Sequence, residues 1–229
     1  VAEESEEQKA LVRRGYDAVS YAYRTDDAGE GRYAPWIAEL RALLGEGGAV
    51  LDLGCGCGVP VARALGAAGC RVTGVDVSGV QVRRARRLVP GGRFLEADMA
   101  RVGFGEAEFD AVVCLYALIH LPPAEQPGLL RRCARWLRPG GWFLAVAGHE
   151  ECDGRAEDWL GSGAPMRWTH PGAEVYRRWL DDAELHVVRQ EFVPEGNGGH
   201  AFFLARRGEA REGRAPVDGP CGRLRERRG

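Results

Sequence analysis

Three glycines stand at alternate positions, Gly54, Gly56 and Gly58, directly after the apolar run Val50-Leu51-Asp52-Leu53 and just before Pro60. Glycines at such a turn let the backbone bend sharply and let a ligand approach the peptide groups closely. The spacing departs from a dinucleotide fingerprint, because the third glycine falls at 58 and Val59 follows it, which disfavours a nicotinamide cofactor. Asp76 ends the next apolar run, Arg71-Val72-Thr73-Gly74-Val75. A carboxylate there can accept hydrogen bonds from both hydroxyls of a ribose. Asp98 and Met99 end a third run, where the carboxylate can accept from an adenine amine and the thioether can pack on the ring. Three run ends carrying Gly, Asp and Asp describe a site for adenosine.

Such a set works only if the chain brings those ends to one edge of a sheet. Short apolar runs at 49–53, 71–75, 92–96, 109–115 and 141–147 alternate with amphipathic stretches, which predicts a parallel sheet covered by helices on both faces. Ser78 with Gln81 reads as a capping box, Pro122, Pro123 and Glu125 open a later helix, and Pro139-Gly140-Gly141 stops it. After Ala147 a stretch rich in Gly, Trp and His reads as a loop, followed by a helix over 171–182. Two runs, 185–193 and 200–205, read as an antiparallel hairpin that closes the sheet. Upstream, Ala10, Leu11 and Val19, then Trp36, Ile37, Leu40, Leu43 and Leu44, give two helices, with the segment 16–23 between them. The expected organisation is a helical segment at 1–47, one α/β domain at 48–207, and a disordered tail at 208–229, rich in Gly, Arg and Pro.

With 229 residues, 45% of them hydrophobic, the chain can bury a single sizeable core. Its 31 basic and 33 acidic residues leave a net charge of -2, which disfavours non-specific nucleic-acid binding. Lys9 is the sole lysine, a bias read as coding composition, and the arginine runs at 83–87 and 131–138 read as solvated helix faces. The seven cysteines include Cys55 and Cys57 in the glycine loop but no second pair at metal-ligand spacing, so no metal site and a reducing compartment are expected. Neither a signal-peptide pattern nor a membrane-spanning apolar run is present, and the cytoplasm is the expected location.

The segments Leu-Asp-Leu-Gly-Cys-Gly-Cys-Gly, Gly-Val-Asp-Val-Ser, Glu-Ala-Asp-Met, Phe-Asp-Ala-Val-Val-Cys and Leu-Arg-Pro-Gly-Gly, in this order between Ala49 and Ala147, resemble class I S-adenosylmethionine-dependent methyltransferases, particularly bacterial small-molecule enzymes. The resemblance implies a Rossmann-like α/β fold with a seven-stranded sheet, mostly parallel, and an antiparallel last strand. It implies S-adenosylmethionine as cofactor, with Asp52 and Gly54 at its methionine end, Asp76 at the ribose, Asp98 and Met99 at the adenine, and the backbone of Cys114 alongside. Cys57 departs mildly from the family, which usually has Ser, Thr or Pro there. Family members also carry a tyrosine-bearing N-terminal helix as a lid, and Tyr16, Tyr21 and Tyr23 look like that element. An aromatic face attracts a sulfonium charge, although simple packing explains any one tyrosine as well.

Methyl transfer from a sulfonium is an in-line displacement, so the protein mainly aligns donor and acceptor and excludes water. A hydroxyl or acidic carbon acceptor gains from a general base. His120 is the first candidate, because in the family the fourth strand end adjoins the methyl group; flanked by Ile119 and Leu121, it also fits a packing role. His170 and His200 are further candidates, with Tyr116, Trp168 and Glu195 as substrate contacts from the fourth strand end and two late loops. No Asn-Pro-Pro-Tyr or Asp-Pro-Pro-Tyr follows the fourth strand, no clear Pro-Cys nucleophile appears and there is no second lysine, which argues against nucleic-acid bases and ribose as acceptors. A small, partly aromatic metabolite remains, methylated without a metal by a monomer or homodimer that needs neither nucleic acid nor membrane. The competing readings are a cofactor-binding regulator without turnover and, further off, a nicotinamide oxidoreductase.

Overall fold

β1 (Ala49–Leu53) is buried at every position, as a strand flanked and covered on both faces must be. A computed structural model describes residues 2–209 and places β1 inside a seven-stranded sheet. The sheet order is β3 (Arg93–Glu96), β2 (Arg71–Asp76), β1, β4 (Phe109–Leu115), β5 (Leu137–Gly148), β9 (Gly198–Arg207) and β8 (Leu185–Glu195). The first five are parallel; β9 runs antiparallel to both of its neighbours, so the last strand among the described residues lies one place in from the edge and β8 forms it. The hairpin and the parallel core read from the sequence are both present. The expected tail lies, from residue 210 onward, outside the described residues.

Two apolar layers sandwich the sheet. On one face α2 (Ala34–Leu44), α3 (Val61–Ala67) and α4 (Gly79–Leu88) bury Trp36, Leu40, Leu65 and Val82 against Val50, Val113 and Val146. On the other, α5 (Gln126–Trp136) and α6 (Ala173–Asp182) bury Leu129, Leu130 and Tyr176 against Leu51, Val112 and Phe203. The alternation of Val50 and Leu51 between the layers is the two-residue period of a strand.

The N-terminal region differs from its sequence reading. α1 (Ala2–Tyr23) runs through the segment expected to separate two helices. Its polar residues are taken up by α4: Asp17 Oδ1 accepts from Ser78 Oγ at 2.6 Å and from Val80 N at 3.3 Å, and Ser20 Oγ donates to Gln81 Oε1 at 2.9 Å. Only half of the expected capping box forms: Ser78 Oγ accepts from Gln81 N at 3.1 Å, while the Gln81 side chain turns to Ser20. Arg84, expected on a solvated face, is 2% exposed; it donates to Ser20 Oγ, Arg24 O and Asp26 Oδ1 and fixes the end of α1. The stretch after Ala147 is not all loop, because β6 (Cys152–Ala156) and β7 (Met166–His170) pair antiparallel. α1 packs on β7 so closely that a Cβ at Gly15 would lie 2.6 Å from Met166 Cε.

Candidate active site

A cavity opens where β1, β2 and β4 end, walled on its far side by α1. This is the edge at which parallel α/β sheets bind ligands. The void, counted together with the open solvent at its mouth, is about 1060 Å³. The glycine loop supplies its floor. Gly54 has φ of +72°, and a Cβ there would stand 2.3 Å from Ala117 Cβ, so only glycine lets β1 turn beneath the β4 end.

Three carboxylates line the cavity. Asp52 is 4% exposed and its Oδ2 has no hydrogen-bond partner among the described residues; burial, helped by the negative charge of Asp76, pushes its carboxyl up to about 7. Asp76 accepts from Gly56 N at 2.9 Å and Ser78 N at 2.8 Å. Burial raises its pKa to about 6 against the opposing pull of those two N–H groups. Asp98 accepts from Ala100 N at 2.7 Å and from Lys9 Nζ at 2.8 Å, and Met99 lies beside it.

At the opposite end, His120 is buried between α1 and β7. Its Nδ1 lies 3.0 Å from the carbonyl of Arg167 and its Nε2 lies 2.9 Å from the Tyr16 hydroxyl. A carbonyl can only accept, so Nδ1 carries the proton and Nε2 accepts from Tyr16. Burial holds this imidazole down at about 4, neutral at ordinary pH. Tyr16, Tyr23, Tyr33 and Tyr116 complete an aromatic wall. Beyond Tyr23, Arg24, Tyr33 and Tyr116 the cavity continues into a polar vestibule that adds Glu30, Gly31, Arg32 and Glu195.

Several candidates lie elsewhere. Tyr21 is 55% exposed under the Arg84 guanidinium, 4.0 Å from its ring, and Tyr23 rather than Tyr21 joins Tyr16 on the cavity wall. Gly58 does not line the cavity; it packs against α4 and β3, where a Cβ would meet Val89 Cγ2 at 3.1 Å. Cys114 is buried in the α5 layer, its thiol pushed up to about 12 by burial, and the residues that line the cavity here are Leu115, the last of β4, and Tyr116 and Ala117 just after it. His170 packs under Gly148, His200 stands behind Tyr116 with its ring 5.1 Å away, and Trp168 lies on β7 with its ring 6.2 Å from His120. None of these three lines either cavity. Glu195 reaches the vestibule only, paired with Arg32 at 3.3 Å and 3.1 Å from His200 Nδ1. The sequence reading missed Lys9, Arg24, Tyr33 and Gln81, all of which line the main cavity.

Comparison with known proteins agrees with this architecture. The methyltransferase-domain family matches residues 50–141. An uncharacterized methyltransferase of Synechocystis is 33% identical over 192 residues, covering 80% of this chain and 87% of that protein. The chain belongs to the class I S-adenosylmethionine-dependent methyltransferases. A ubiquinone biosynthesis O-methyltransferase of Methylocella silvestris is 32% identical over 180 residues, 76% of this chain and 66% of that protein. The chain thus spans about two thirds of the length of that relative. Among solved structures, the 1,6-didemethyltoxoflavin N1-methyltransferase of Burkholderia thailandensis, with its acceptor and S-adenosylhomocysteine bound, superposes with a TM-score of 0.68 at 26% identity, covering 90% of this chain and 91% of that one.

The cofactor of the family, S-adenosylmethionine, fits the residues present. Its ammonium would meet the partnerless, buried Asp52 oxygen, and the Gly54 cradle leaves room that a side chain would fill. Among the described residues, no helix is long and apolar enough to cross a membrane.

Proposed function

We propose that the protein methylates a small, planar, partly aromatic metabolite held between the tyrosine wall and the vestibule. Asp52 holds the cofactor ammonium, Asp76 the ribose hydroxyls, and Asp98 with Met99 the adenine, while α1 acts as the lid. The bound cofactor supplies a methyl group activated on a sulfonium. Tyr16, Tyr23, Tyr33 and Tyr116 present ring faces and edges around the cavity, which favours a positive sulfur and excludes water from it.

The observation that carries this reading is the neutral His120 with Nε2 turned toward the cavity through Tyr16. Its tautomer is fixed by the Arg167 carbonyl, so Nε2 is the nitrogen of this ring with a lone pair able to take an acceptor proton. That proton reaches it either by displacement of the Tyr16 hydroxyl or through that hydroxyl. The relatives that methylate a ubiquinone precursor oxygen and a toxoflavin precursor nitrogen are in keeping with a small acceptor. The test is transfer of labelled methyl from S-adenosylmethionine across a panel of hydroxy- and amino-arenes, with wild type and His120→Gln side by side. Turnover with at least one arene, reduced in the variant, is expected. Cofactor binding with no turnover on any acceptor would instead describe a protein that keeps the adenosine site without transferring methyl groups.

A further inference from the structure

Arg24 stands where the main cavity passes into the vestibule and lines both. It is half-buried, and its guanidinium faces aromatic groups: it donates to the Tyr33 hydroxyl at 3.2 Å and lies 5.1 Å from the Tyr33 ring centre and 5.8 Å from that of Tyr23. Among the described residues no carboxylate comes within ion-pair distance of it. Its neighbour in the vestibule, Arg32, is different, because Glu195 at 3.3 Å neutralises it. Arg24 is thus a cation without a counter-charge, held at the threshold by tyrosine rings with most of its five donors unused. A guanidinium in that setting binds a carboxylate or phenolate in a fork, and the flanking rings suit a flat molecule.

We infer that the acceptor is an aromatic acid, seated in the vestibule with its anionic group on Arg24 and its ring between Tyr23, Tyr33 and Tyr116. This rests on the methyltransferase reading above and adds to it the charge of the acceptor. The anchor sets which edge of the ring faces the cavity interior. Arg24 then acts as a specificity residue rather than a proton carrier.

The test uses the full chain loaded with S-adenosylhomocysteine. A matched panel of hydroxy- and aminobenzoates, each with its methyl ester and amide, is titrated calorimetrically into wild type, Arg24→Gln and Arg24→Lys. The best-bound acid should exceed its ester by about tenfold or more, as a charge-assisted hydrogen bond allows. Arg24→Gln should erase that preference and Arg24→Lys restore part of it, with the affinity for S-adenosylhomocysteine within about twofold of wild type in both. Esters bound as well as acids, or no acid bound at all, would overturn the inference. So would Arg24→Gln weakening S-adenosylhomocysteine and leaving the acid preference intact, since Arg24 would then serve the cofactor carboxylate. Failure of wild type to bind S-adenosylhomocysteine would count against the cofactor reading itself and is read separately.

Discussion

Lys9 Nζ of α1 sits 2.8 Å from Asp98 Oδ2, the carboxylate proposed to meet adenine, and 3.2 Å from Glu125 Oε2. The two side chains of the closer pair are 10% and 19% exposed, so water screens the pair only in part. Burial alone would lower the Lys9 pKa, and the carboxylates of Asp98, Glu6 and Glu125 outweigh it and leave it raised. One residue thereby fastens α1 across the cavity end that carries Asp98. Lys9→Met removes the fastening and leaves two half-buried carboxylates facing each other. A loss of about 2 kcal/mol is expected, seen as a lower melting temperature and as faster amide exchange confined to the first half of α1. Exchange unchanged in α1 would show that the helix is held elsewhere.

The proposed contact between Asp52 and the cofactor ammonium predicts a pH-dependent cofactor affinity. In the free protein its folded pKa, about 7, stands above the ordinary 3.8. The native state therefore holds a proton that the unfolded chain has lost, and this contribution to stability disappears as pH rises through about 7. A ligand ammonium favours the ionised carboxylate, so binding expels that proton. S-adenosylhomocysteine affinity should rise about tenfold per pH unit below 7 and level off above it. Calorimetry in buffers of different ionisation enthalpy should detect the released proton, and Asp52→Asn should flatten the profile. A flat profile in wild type would mean that Asp52 does not meet the ammonium.

Much of this arrangement was legible because it depends on local pattern. The apolar runs ending at Leu53, Asp76 and Glu96 are strands, and the parallel sheet brings their ends together, so the placement of Gly54, Asp76 and Asp98 around one cavity follows from the order of residues. Tyr21 and Tyr23 show the limit. Tyr16 and Tyr23 lie about two turns apart on one face of a continuous helix, while Tyr21 lies on another. Placing the segment between two helices removed the period that would have separated them. Lys9 and Arg84 were misread for a different reason. Nothing near them in the chain marks them as buried, and each is drawn in by partners distant in sequence, Asp98 for one and Ser20 and Asp26 for the other. Composition carries no record of such pairings. The β6 and β7 pair went unseen because its strands, Cys-Asp-Gly-Arg-Ala and Met-Arg-Trp-Thr-His, are short, and the first alternates only polar and small residues.

His120 and Tyr16 can be separated kinetically. His120→Gln should lower kcat by about a hundredfold, a usual worth for a positioned base, and leave the affinity for S-adenosylhomocysteine nearly unchanged. Tyr16→Phe distinguishes the two proton routes. Relay through the hydroxyl predicts a kcat loss like that of His120→Gln, whereas displacement predicts retained or raised kcat, because Nε2 then lacks a competing donor. Equal activity of His120→Gln and wild type would assign the residue to packing alone.

Gly54 tests the floor of the site against the rest of the fold. Its φ of +72° is unfavourable for any side chain, and an added Cβ would stand 2.3 Å from that of Ala117 at the end of β4. Gly54→Ala should therefore push the β1 turn and the β4 end apart, at a cost of about 3 kcal/mol from backbone strain and overpacking together. Ala117→Gly in the same chain removes the colliding atom and leaves only the backbone strain, so the double variant should regain part of that stability. Cofactor affinity provides the second readout. If the loop serves only to turn the chain, affinity recovers with stability in the double variant; if the peptide groups of Gly54 must lie close to the ligand, the new methyl group stays in the way and affinity remains low after the fold has been rescued.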